Sequence, residues 1–250
     1  MNRSLAFIFL FGSMFIFIVS PVFSAASEVQ IVATILPPYA SSSPDGPTGA
    51  MIEMVTAMAK LTGHSGKIEL VSWNRAQMLT TSQADGIQRL ILPLIRSPDR
   101  EKRYQWLARF FEDEAVILTM KGRRPAIKNR NQLAGVRVGV LDGSPLEEWL
   151  QAEKAVKIDS AATQSINARK LQAGRIDAWF VVRQVGLHEF AAEGFDRQEL
   201  ESGLSLRAIN LYLAASPDFP ALESKKWREA FDLIKKDGTY ARIVSKYKIK

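Results

Sequence analysis

The sequence has no cysteine and only two histidines, His64 and His188. Without cysteine there is no disulfide, no thiolate metal site and no lipid carried on an amino-terminal Cys. A cysteine-free chain also cannot mispair during export. Two histidines are too few for a His-based metal centre, and each is expected on the surface of a loop or helix; no metal and no cofactor are expected. Other signals are missing too. There is no Gly-x-x-x-x-Gly-Lys phosphate loop, no basic motif interleaved with aromatics of the kind that binds RNA, and no Ser-His-Asp or paired-carboxylate spacing. No nucleic-acid partner is expected. No Gly/Ser-rich linker or low-complexity stretch divides the chain, so its parts are expected to pack together around a cleft.

What is present begins with an export signal. Met1-Asn2-Arg3 is a short basic start, Leu5 to Val22 is a nearly unbroken apolar run, and Ser24-Ala25-Ala26 offers small residues for cleavage after Ala26. The alternative is an uncleaved anchor, since 18 apolar residues just suffice to cross a bilayer. Removing residues 1–26 takes away one charge, Arg3, and leaves 224 residues with a formal charge of +6. That length accommodates one large or two small domains with real cores. The cations are scattered except around Lys121 to Arg130, which reads as a solvated basic surface.

Strand-like runs alternate with helix-period segments, the pattern of an α/β protein. Strands are expected at Val29 to Ile35, Lys67 to Val71 and Gly86 to Leu94. Helices are expected at Gly49 to Leu61 and Asn74 to Ser82. Met51, Met54, Val55, Met58 and Leu61 recur at helical spacing and read as core. Arg109 to Met120 reads as extended, and Lys121-Gly122-Arg123-Arg124-Pro125 as a crossover or linker. A second β-α-β-α-β set follows: strands at Arg137 to Leu141, Val156 to Ile158 and Ala178 to Val182, helices at Pro145 to Glu153 and Ser165 to Ala173. Leu206 to Ala214 is again extended, and two helices, Pro220 to Lys236 and Thr239 to Tyr247, are separated by Asp237-Gly238.

Several short motifs stand in a fixed order across this pattern. They include Pro37-Pro38-Tyr39, Trp73, Ala84-Asp85-Gly86, Ser97-Pro98-Asp99-Arg100, Gln132-Leu133-Ala134-Gly135, Gly139 to Ser144, Leu171 to Ala178 and Asp237-Gly238-Thr239-Tyr240. In order and spacing the chain resembles the bacterial extracellular solute-binding proteins of family 3, best known as periplasmic amino-acid receptors of ABC importers. The resemblance implies a two-lobed, type II periplasmic-binding-protein-like α/β fold. Each lobe would be a small, mainly parallel sheet flanked by helices, with the ligand cleft between them. It divides the chain into residues 1–26 as signal peptide, 27–116 with 207–250 as a discontinuous first lobe, and 117–206 as the second. It also implies capture by hinge closure.

For the site, the resemblance points to Arg100, which ends the Ser-x-x-Arg pattern and would clamp a carboxylate with its planar pair of donors. Trp73 stands where relatives stack an aromatic on the ligand, and Arg75 beside it would add charge. Gly143 and Ser144 lie where a strand passes into a helix, so that backbone N–H groups and a hydroxyl can face an anion; Ser144 equally suits the N-cap, with Pro145 at the first helical position. Tyr39 either borders the cleft or packs beneath it. Arg183 is a further candidate, and Asp177 reads as structural. Two positions depart from what the resemblance implies. Pro93-Leu94-Ile95 stands where amino-acid receptors carry small hydroxyl residues, and Val182 stands where they carry the acid that pairs with the α-ammonium.

The expected function is therefore a periplasmic solute-binding protein, not an enzyme. It would be a monomer that takes a small carboxylate-bearing solute, amino-acid-like or an organic acid, and works with an ABC permease or a membrane receptor. The alternatives are a dehydratase-like enzyme on cyclic acids, for which Asp142 is the one carboxylate in place, and a stand-alone sensor docking on a membrane receptor.

Overall fold

The structure, a computed structural model, describes residues 29–82, 85–153 and 155–249; the expected signal peptide at 1–26 lies outside the described residues. Eight strands form one continuous mixed sheet. At one end β1 (Gln30–Ala33) runs parallel between β4 (Ile68–Leu70) and β5 (Arg89–Ile95). At the other, β7 (Arg137–Leu141) runs parallel between β8 (Lys157–Ala161) and β9 (Ala178–Val182). Two 16-residue strands, β6 (Gln105–Met120) and β10 (Leu200–Ala215), pair antiparallel in the middle and join the two halves. A small hairpin, β2 (Ser41–Ser43) and β3 (Gly46–Thr48), lies apart from the sheet.

The fold is two-lobed as expected, but the crossing between halves is made differently. β5 pairs with the 211–215 part of β10, whereas β9 pairs with Ala115–Leu118 of β6. The chain thus passes from one half to the other inside β6. The basic stretch Lys121 to Pro125, expected as the crossover, is instead a turn beyond the strand's end. There Arg123 donates to the carbonyls of Leu171 and Gln172 at the end of a helix, where a cation complements the helix dipole.

Sequence periodicity explains most helices. In α1 (Ala50–Thr62) Met51, Met54, Val55 and Met58 are fully buried, while Leu61, expected in the same stripe, is 51% exposed on the last turn. Helix α2 (Trp73–Thr81) follows β4, and α3 (Pro145–Gln151) and α4 (Gln164–Gln172) flank the second half-sheet. Ser144 and Thr163 cap α3 and α4 by accepting from N–H groups in their first turns. α6 (Ala221–Lys236) buries Trp227, Ala230, Phe231 and Ile234 at helical spacing, and α7 (Thr239–Lys246) returns to the first half, where Tyr240 Oη donates to Phe110 O at 2.6 Å.

α5 (Arg183–Ala192) is not announced by the sequence. It starts directly at the end of β9 with no side-chain cap of its own. The carboxylate of Asp113, far away in sequence, accepts from Gln184 N at 3.2 Å and supplies the missing cap. His64 also departs from expectation. Its ring is not on the surface but stacks on Trp227, 5.7 Å between centroids, with Nε2 3.1 Å from Glu223 Oε2. Asp177 is structural as expected, accepting from Arg137 N at 2.8 Å. Among the described residues, no helix is long and apolar enough to cross a membrane.

Candidate functional site

In an open parallel sheet the chain turns away at the carboxyl ends of the strands, and those turns leave a crevice. Here both half-sheets point these ends at one another. A cavity of about 460 Å³ lies between them, lined from the first half by Thr34, Ile35 and Leu36 after β1, by Leu70 to Trp73, and by Pro93 and Ile95 of β5. The second half supplies Leu141 to Leu146, Gln164 and Val182. The size suits a small-molecule site.

Of the candidates read from the sequence, Trp73, Gly143 and Ser144 line this cavity. Arg100 stands one layer behind the wall. It is only 7% exposed, its guanidinium carbon lies 5.1 Å from the centroid of the Trp73 ring, and Nη1 donates to Ile95 O at 3.3 Å. The Nε–H is buried without a hydrogen-bond acceptor, and Asp99 Oδ2 is 3.9 Å away. Burial, the largest influence, pushes its pKa below the ordinary guanidinium value, with Asp99 opposing; an arginine nonetheless stays charged. A buried cation with an idle donor, flanked by two wall residues, is suited to meet a carboxylate.

Gly143 and Ser144 do not present free donors. Gly143 N–H donates to Glu147 Oε2 at 2.7 Å, Ser144 Oγ donates to Leu141 O at 2.7 Å, and Ser144 Oγ accepts from Glu147 N at 3.3 Å. The carboxylate of Glu147 thus occupies the place at this helix start where an external anion was expected.

Three candidates stand outside the lining set. Tyr39 is fully buried beneath the crossing strands. Its ring lies 5.0 Å from that of Phe111, and its hydroxyl donates to Asp113 Oδ2 at 2.7 Å; burial is the main reason its pKa is raised. Arg75 is exposed on α2 and is not among the cavity-lining residues, because two residues after Trp73 a helix has turned by about 200°. Arg183 pairs with Glu114 of β6 and is held at the crossing, away from the lining set.

The residues missed are chiefly apolar. Ile35, Leu36, Leu70, Val71 and Leu141 line the cavity, and Ile35 is 60% exposed. The signal that finds them is position, from the last residue of a parallel strand to the third residue beyond it. Pro93 and Val182, the two departures noted in the sequence, are both in the wall. Among the described residues no group of three or more His, Asp or Glu could hold a metal ion.

A family model, bacterial extracellular solute-binding proteins, family 3, matches residues 29–250. The L-cystine-binding protein TcyJ of Escherichia coli (strain K12) is 28% identical over 222 residues, covering 84% of this chain and 78% of the relative. Among solved structures, an ABC uptake transporter substrate binding protein from Streptococcus pneumoniae with bound histidine has a TM-score of 0.75 at 19% identity, over 88% of this chain and 92% of its own. An ancestral arginine-binding protein bound to arginine reaches 0.72 at 24% identity, over 88% and 97%. At such identities these two structures share the fold. With the family model spanning the two half-sheets and the cavity between them, this chain belongs to the bacterial extracellular solute-binding proteins, family 3.

Proposed function

We propose that this solute-binding protein works in the periplasm after loss of residues 1–26, as a monomer. It would capture a small carboxylate-bearing solute between its lobes and deliver it to an ABC permease. The lobes of this reading are residues 27–116 with 207–250, and 117–206. The observation that carries it is the cavity of about 460 Å³ walled from both half-sheets, with the idle Nε–H of Arg100 buried beside two wall residues, Trp73 and Ile95. The family membership and the name of the cystine-binding relative favour capture of an amino-acid-sized solute.

Arg100 is the anchor in this reading, with Trp73 as the flat surface over which its guanidinium lies. Tyr39 and Arg183 take part only through the hinge, and Arg75 is left to the surface. Asp142 is the one acidic or basic side chain in the lining set, so acid–base turnover would rest on it alone, which favours binding over catalysis. The test is mass spectrometry of small molecules retained by the mature protein, purified from the periplasm without refolding. A retained carboxylate in near-equimolar amount is the expected result; protein free of any solute, with no ligand detected by calorimetry, would overturn the reading.

A further inference from the structure

Several polar groups of the second lobe that face the cavity are already used. Gly143 N–H and both roles of the Ser144 hydroxyl are taken by Glu147 and Leu141, and Gln164 Oε1 accepts from Trp179 Nε1 at 3.1 Å. The charged lining residue, Asp142, is exposed to solvent. The first half adds the hydroxyls of Thr34 and Ser72, and most of the remaining enclosure is apolar, including Leu36, Val71, Ile95 and Val182, with Ile35 60% exposed beside them. A large aliphatic side chain left open in a concave wall is apolar surface awaiting a partner.

We infer that the ligand is single-headed: a monocarboxylate whose carboxylate meets Arg100 and whose body is apolar, aromatic or branched aliphatic, with no ammonium and no second acid group. This rests on the reading of the cleft as the ligand site and deepens it. A second acid group would meet the aliphatic wall and Asp142 with no cation in the lining set, and an ammonium would find there only Asp142, which stands in solvent; burying an unpaired charge is heavily disfavoured. The apolar body, by contrast, covers Ile35 and packs on the aliphatic part of the wall.

The experiment is isothermal titration of the mature protein, freed of retained solute by dialysis, with a matched set of probes. Phenylpropionate and isocaproate carry the inferred chemistry. L-Phenylalanine and L-leucine add an ammonium to related bodies, glutarate adds a second carboxylate, and phenylpropionamide removes the charge. Phenylpropionate or isocaproate is expected to bind at least about tenfold more tightly than each of the others. Arg100→Gln is expected to remove most of that advantage over phenylpropionamide. Tighter binding of L-phenylalanine, L-leucine or glutarate would overturn the single-headed ligand while leaving solute capture intact. So would failure of every probe when mass spectrometry still finds a retained solute of other chemistry. Undiminished phenylpropionate binding by Arg100→Gln would overturn the placement of the carboxylate. If no probe binds and no solute is retained, solute capture itself falls with it.

Discussion

Asp113 takes three hydrogen bonds from three parts of the chain: the Tyr39 hydroxyl and Gln184 N–H on one oxygen and Glu114 N–H on the other. Burial raises its pKa above the ordinary carboxylate value; the hydrogen bonds and nearby Arg183 pull the other way without cancelling it. A carboxyl that holds its proton more tightly folded than unfolded contributes stability at low pH, fully present below the unfolded pKa of about 4 and lost as pH rises through the raised folded value. Thermal unfolding scans across the acid range should show that decline, and Asp113→Asn should flatten it. Tyr39→Phe removes a donor from the buried carboxylate and is expected to cost about 1–3 kcal/mol, read from urea denaturation at neutral pH. How much of the site the sequence disclosed differs by residue. Arg100 and Trp73 were pointed to by the family resemblance, and the structure sets Trp73 in the cavity wall with Arg100 behind it. Tyr39 was not, because the sequence around Pro37-Pro38 does not say whether the next ring turns into the cleft or under it, and its partner Asp113 is 74 positions away. Ile35 and Leu36 were missed for the opposite reason: apolar residues at a strand's end look like core.

Among the elements, helix starts carry the most testable energetics. Gly49 precedes α1 with φ +120°, and an added Cβ would lie 2.6 Å from the carbonyl oxygen of Tyr39. Gly49→Ala is therefore expected to destabilise by roughly 1–3 kcal/mol through a backbone region open essentially to glycine alone, seen as a lower urea midpoint. Ser144→Ala should cost about 1 kcal/mol by the same measurement, from loss of the α3 cap. The contrast between α3 and α5 explains which elements could be read in advance. Ser144-Pro145 announces α3 by its own residues, whereas α5 is capped by Asp113 from another strand, and no local signal exists. β10 behaves likewise. Its apolar part was legible, but its first residues, including Glu201, Ser202 and Ser205, read as loop and are strand only because Thr119, Leu118 and Val116 of β6 pair with them.

For the whole molecule, the lobe division makes closure the expected response to ligand. Small-angle scattering with saturating solute should give a smaller radius of gyration than solute-free protein, and the Glu114–Arg183 pair at the crossing should matter little to overall stability, with Arg183→Ala within about 1 kcal/mol of the parent because both side chains are partly exposed. The two-lobe plan was visible from two successive β-α-β-α-β sets. Their fusion into one sheet was not, since that depends on the pairing of strands some ninety residues apart.

The fusion has a mechanical consequence. Between the stretch held by β9 and the stretch held by β5, the only strands at the crossing among the described residues are β6 and β10, where Ala208 to Asn210 face Glu112 to Glu114 and ladder irregularities flank the segment at Ser205/Arg207 and Leu211/Tyr212. A two-stranded ribbon flexes readily out of its own plane, and bulges soften it further. Sliding within the plane would break its hydrogen bonds together. Were the lobes to close on a solute, such a ribbon would act as a leaf spring between two plates, favouring tilt over shear and bringing Val182 back opposite the same wall residues.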